Sequence, residues 1–185
     1  MKNIAIIDTE TNYYNELMSI GLVICNNELV ELARYYYIIS PECDAPSLYY
    51  YSLYLDKVRI DYKGTHEKIM NMVIKNLKEY DVDKIFAYNA GFDYNFLKEL
   101  QDYEWYDIMR MAIYKEYNSK ITDEYPTFKT GRLKRNYGVE PIYQMLSGDR
   151  YYQELHNALT DAVDETEIMR LLGVKVEDYI KLDIK

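Results

Sequence analysis

Five side chains in three short segments carry the groups that could do chemistry. Asp8-Thr9-Glu10 follows the apolar run Ile4-Ala5-Ile6-Ile7. Side chains alternate across a strand, so Asp8 and Glu10 share a face, roughly 7 Å apart, in line with Ile4 and Ile6. Two carboxylates that continue a buried row repel each other and desolvate badly, and a divalent cation between them removes both costs. Taken alone, the pair fits equally a strand that has ended in a solvated turn. The second segment, Tyr88-Asn89-Ala90-Gly91-Phe92-Asp93, reads as a strand end, a glycine turn and a first helical turn. An acid in a first turn is ordinarily explained by the helix dipole. Asp93, however, precedes Leu97 by four residues and Leu100 by seven, so it borders the apolar stripe, where a metal-bound water would give it a partner. The third segment is His156-Asn157-Ala158-Leu159-Thr160-Asp161. On one continuous helix His156 and Asp161 would point about 140° apart. Asn157 is therefore read as the N-cap and His156 as a loop residue, free to swing towards a water as a base must. Asp164 and Glu165 read as an outer charged face, and His66 as a surface or capping residue.

The elements that must position these groups follow from periodicity. Residues 3–9 read as a buried strand, and 17–25 and 28–39 as two more, joined by a hairpin at Asn26-Asn27. Residues 41–64 read as a connection. Ile69, Met72, Val73, Asn76, Leu77 and Tyr80 give a helical stripe over 65–80. A strand is expected at 84–88, a helix from Phe92 to Leu100, a strand at 105–108 and a helix near 109–117. The stretch 118–153 is polar and irregular, with a short basic helix expected at 132–137, ended by Gly138. A last helix is expected from Asn157 to Leu172, stopped by Gly173. Three hairpin-linked strands followed by βα alternation predict an α/β fold, a mixed five-stranded sheet with helices on it.

Bulk properties narrow the class. The chain has 185 residues, 49% hydrophobic and 29% charged, which suits one globular domain over residues 1–185. No apolar run spans a bilayer and no charged leader or cleavage site opens the chain, so a soluble, cytoplasmic protein without a membrane partner is expected. The two cysteines, Cys25 and Cys43, match no metal or redox spacing and read as reduced thiols. A net charge of -9 disfavours a protein that grips long duplexes through a basic surface. Lys129, Arg132, Lys134 and Arg135 form the densest basic stretch, either a phosphate track or a solvated face. The 23 tyrosines could stack on bases, although strand propensity and composition account for most of them.

Together, in this order, the three segments resemble the three motifs of the DEDDh 3′–5′ exonucleases, a family of ribonuclease H-like fold. Ile7-Asp8-Thr9-Glu10-Thr11 resembles the first, Tyr88 through Leu97 the second, with Tyr88 where many members have His, and His156 to Asp161 the third. The resemblance runs over residues 4–173. It implies two Mg²⁺ or Mn²⁺ ions held by Asp8, Glu10, Asp93 and Asp161, with His156 as general base. It implies a substrate that is a single-stranded nucleic acid 3′ end or a short oligonucleotide, cleaved to nucleoside 5′-monophosphates. Thr9, Thr11, Asn89 and Phe92 are the candidates for touching that substrate. For Phe92, core packing is the competing explanation. Thr11 to Met18 is short and lacks the family's frequent Thr-Thr-Gly opening, which bears on the lip where the terminal nucleotide would lie. Two other readings are a proofreading subunit serving a polymerase and a binding module that keeps the fold without activity. Both monomer and homodimer fit the sequence.

Overall fold

The computed structural model describes residues 2–182. Its centre is a six-stranded mixed sheet in the order β4 (Tyr62–Gly64), β3 (Glu31–Ile39), β2 (Leu17–Cys25), β1 (Asn3–Thr11), β5 (Val82–Ala87), β6 (Glu104–Asp107). β1 (Asn3–Thr11), β2 (Leu17–Cys25) and β3 (Glu31–Ile39) form an antiparallel meander. The Asn26 side chain accepts from the Glu28 and Val30 N–H groups and closes the β2–β3 hairpin. β5 (Val82–Ala87) joins the other edge of β1 in parallel, and β6 (Glu104–Asp107) joins β5 in parallel. The strand count exceeds the expected five because β4 (Tyr62–Gly64) pairs in parallel with the end of β3. Three residues between loops show no alternation that could announce a strand.

Strand periodicity divides the core in two. On one face Ala5, Ile7, Ile20, Leu22, Tyr37 and Ile85 pack with Ile69, Val73 and Leu77 of α1 (His66–Glu79). On the other, Ile4, Ile6, Val23, Tyr36 and Phe86 pack with Ala158, Ala162, Ile168 and Met169 of α5 (Ala158–Leu172). α2 (Gly91–Phe96) starts beyond the end of β5 and is shorter than expected, passing into a 3-10 turn at Lys98–Leu100. α3 (Met109–Ala112) is a single turn.

The stretch 118–153 holds one helix, though not where it was expected. Residues 132–137 form a loop, in which Leu133 bridges Thr127 and Arg132 bridges Tyr114. The helix is α4 (Val139–Ser147), whose Val139, Ile142 and Leu146 are buried. Pro141 falls in its first turn, where a missing N–H costs nothing. Both cysteines are free and buried. Among the described residues no helix is long and apolar enough to cross a membrane.

One contact sets where the start of α5 lies. Gly21 of β2 is opposite Asp8 in the β1–β2 register. A Cβ on Gly21 would fall 1.9 Å from the Ala158 carbonyl oxygen and 2.4 Å from the Leu159 nitrogen. The first turn of α5 therefore rests on bare backbone. Gly21→Ala must push that helix outwards, since backbone atoms cannot rotate aside. We expect a loss of at least about 1–3 kcal/mol, read as a lower urea midpoint. Gly91→Ala, where a Cβ meets nothing within 4 Å, should shift stability by less than about 0.5 kcal/mol.

Candidate active site

The C-terminal end of β1, the start of α2 and the start of α5 meet at one end of the central strands. Asp8 and Glu10 continue the face of β1 that carries Ile4 and Ile6, the face covered by α5. Asp8 is half-buried, yet its Oδ2 is shielded from solvent and has no hydrogen-bond partner. Thr9 points to the opposite face, is buried, and donates its hydroxyl to Asp93 Oδ1 at 2.7 Å. Asp93 is only 2% exposed, so its inward orientation is that expected from its place beside the apolar stripe.

Asn157 caps α5: its side chain accepts from the Leu159 and Thr160 N–H groups. Asp161 thus lies in the first turn, buried, with the Thr160 hydroxyl 3.2 Å from its Oδ1. His156 precedes the cap with φ at +53°, in the left-handed region. That backbone turn detaches its side chain from the helix direction. Glu10, His156 and Asp161 each present a ligand atom, and these atoms lie within 4.8 Å of one another.

A further carboxylate completes the cluster. Glu165 is not on an outer face: it is 1% exposed and accepts from the Tyr88 N–H at 3.1 Å. The signal was present in the spacing, since Glu165 follows Asp161 by four residues and so shares its face. Asp164 is partly buried and accepts from the Tyr152 hydroxyl. Asp107, at the end of β6, accepts from the N–H groups of Asn89 and Met109 and so fixes the turn that leads into α2. Asn89 itself is exposed at φ +61°. Phe92 is 43% exposed and leans on Phe96, so it is not a core residue. Thr11 is half-buried at the bulge where β1 leaves β2. His66 is partly exposed, 3.7 Å from Glu99. In the basic loop, Arg132 lies over the Tyr137 ring and Lys134 over the Phe128 ring.

The electrostatics follow from this crowding. Burial, then the charges of Asp93, Glu165, Asp161 and Glu10, push the Asp8 carboxyl well above its ordinary range. Burial raises Glu10 to about 8, with Asp161, Glu154 and Asp93 adding to it. Asp161 is raised to about 8 by burial and by Glu154 and Asp164. Asp93 reaches about 7 through burial, despite the opposing Thr9 hydrogen bond. Glu165 also rises through burial and Asp93. Burial moves His156 the other way, below its usual value, which favours the neutral imidazole. An orphaned Asp8 oxygen among clustered, mutually repelling carboxylates is a donor set suited to hard divalent cations, which take oxygen ligands.

No family model matches the chain, and no curated protein matches it in sequence. Its fold has clear counterparts among solved structures. Exonuclease X, in complex with 5′-overhanging duplex DNA, superposes with a TM-score of 0.56 at 22% identity, over 94% of this chain and 95% of that one. Exonuclease I from Methylocaldum szegediense gives a TM-score of 0.65 at 13% identity, over 96% of this chain but only 42% of its own. The zinc-bound complex of E. coli exonuclease I with single-stranded DNA gives 0.63 at 10% identity, over 93% and 40%. The chain thus spans about two fifths of the length of the exonuclease I proteins. What it shares with all three is the ribonuclease H-like fold of the DEDD 3′–5′ exonucleases.

The raised carboxyls make stability depend on pH and on cations. In the unfolded chain these groups ionise near about pH 4, whereas in the fold Asp93, Glu10 and Asp161 hold their protons to about 7 and 8. The folded state then binds more protons, so their stabilising contribution is full below about pH 4 and is lost as pH rises towards 8. The melting temperature in EDTA should fall between about pH 5 and 8, and Mg²⁺ or Mn²⁺ should restore more of it at the upper end. Glu165→Gln, which keeps an acceptor for Tyr88 and removes a charge beside Asp8, should flatten the fall. A melting temperature that stays level, with or without the cation, would mean the cluster is solvated.

Proposed function

We propose that the chain is a metal-dependent 3′–5′ exonuclease that removes nucleotides from single-stranded 3′ ends. The observation that carries this reading is the convergence of Glu10, His156 and Asp161 within 4.8 Å, at the end of β1 where Asp8 has an unpartnered buried oxygen. The fold shared with exonucleases X and I supports it, as does the presence of DNA in solved complexes of both.

Asp8, Glu10, Asp93 and Asp161 would hold two Mg²⁺ or Mn²⁺ ions. Bound there, the ions would supply charge neutralisation at the phosphate and acidify a water at neutral pH. The chain's own groups do the rest. The Thr9 hydroxyl fixes Asp93, and the Asn157 cap fixes the turn that carries Asp161. His156, whose Nδ1 lies 3.9 Å from Glu154 Oε1, would accept the proton of the attacking water at a ring nitrogen. Its lowered proton affinity keeps the imidazole neutral and able to do so near pH 7. The water oxygen bonds to phosphorus, the bond from phosphorus to the 3′ oxygen breaks, and that oxygen takes a proton to become the new 3′ hydroxyl. The terminal nucleotide leaves as a 5′-monophosphate. Asn89 and Phe92, exposed on the segment that carries Asp93, and Thr11 at the bulge would touch the departing nucleotide.

The test is product analysis of 5′-labelled single-stranded DNA, its RNA equivalent and a 5′-overhanging duplex, with Mg²⁺, Mn²⁺ or EDTA. A ladder shortening from the 3′ end, lost in EDTA, is expected. Asp8→Ala should abolish it, and His156→Ala should slow it by about a hundredfold to ten-thousandfold while still binding metal. Cleavage by Asp8→Ala at the native rate would refute the assignment.

A further inference from the structure

We infer that Tyr49 is a positioning residue that holds the His156 imidazole in place for proton transfer, through a strap formed by residues 41–54. The inference rests on the reading of His156 as the general base. The Tyr49 and His156 rings are stacked, with centroids 3.9 Å apart and planes 20° from parallel. Two further bonds bind the same segment to the same loop. The Ser52 hydroxyl donates to the His156 carbonyl, and the Asn157 side-chain amide donates to the Ser52 carbonyl at 2.7 Å.

The strap's other end is tied to the loop that leaves β1 just after Glu10. The Tyr13 N–H donates to the Pro46 carbonyl at 3.0 Å. The Asn12 side-chain amide donates to the Glu42 carbonyl at 3.2 Å. One segment therefore spans the loops that follow Glu10 and precede Asp161.

His156 needs such a hold. It stands outside α5, in a backbone conformation that leaves its side chain half-exposed, and no helix neighbour limits its rotamers. A ring laid flat on one face of the imidazole restricts rotation of the side chain while leaving its nitrogen-bearing edge open to Glu10 and Asp161. The flat face is what matters for this task, so the Tyr49 hydroxyl is dispensable and its ring is not.

The experiment compares Tyr49→Phe, Tyr49→Leu and Tyr49→Ala in the full chain, by steady-state cleavage kinetics and by NMR of the histidine ring protons. Only two histidines occur, so His66 serves as the internal standard. The native chain and Tyr49→Phe should show His156 protons moved upfield by the stacked ring, and kcat within about twofold of each other. Tyr49→Ala and Tyr49→Leu should return those protons to ordinary positions and lower kcat about tenfold or more, with KM changed less than about twofold. Two variants keep the test alive should one fail to fold, as a thermal melt would reveal. His156 resonances that ignore the loss of the ring would overturn the inference, as would a loss expressed in KM alone, which would make Tyr49 a substrate contact. A native chain that cleaves nothing would refute the nuclease reading by itself, and the resonances would still decide whether Tyr49 holds the imidazole.

Discussion

The close seating of α5 on β2 at Gly21 is the constraint on which the site depends. A helix whose first turn lies against strand backbone brings Asp161 and Glu165 to the end of β1, where Asp8 stands opposite that glycine. Any side chain at position 21 would separate the two carboxylate groups. The Asn157 cap and the left-handed turn at His156 are the local means by which the chain enters that contact. Both are cheap in sequence terms, because Asn caps helices well and a single residue can adopt positive φ at modest cost.

The cost of the contact is electrostatic. Asp8, Asp93, Asp161 and Glu165 are drawn together with Glu10, and the leading influences on them are burial and carboxylate charges rather than any Lys or Arg among the described residues. Hydrophobic burial around Ile4, Ile6, Ala158 and Ala162 holds the elements in place against that repulsion. Repulsion of this kind is relieved by protons or by cations, and the second route is the one the proposed activity would use. Glu165 sharpens the point, since it accepts from the backbone of Tyr88 and otherwise adds negative charge beside Asp8.

The groups that keep the cluster in order come from elsewhere in the chain. Thr9 spends its hydroxyl on Asp93, Asp107 steadies the turn before α2, and residues 41–54 close over His156. None of these three is among the proposed catalytic groups, yet each contacts one of them or the turn that leads to one.

The sequence alone determined the local facts. Short β-rich apolar runs marked β1, β2 and β3, the stripe from Ile69 to Leu77 marked α1, and Asn157 before an apolar helix marked the start of α5. The alternation of Asp8 and Glu10 with Ile4 and Ile6 placed both acids on a covered face. Weak or misleading local signals were lost: β4 has three residues, α4 hides in a polar stretch with Pro141 in its first turn, and the basic run 132–137 is a loop held by bridges. Glu165 was legible by its four-residue offset from Asp161, but charge among charges at 164–167 masked it. Only the tertiary structure decided what burial and long-range pairing decide. Ser52 meets His156 across 104 residues, and Thr9 meets Asp93 across 84. No local pattern encodes such contacts, because they depend on which faces the sheet and helices turn towards each other once the core has closed.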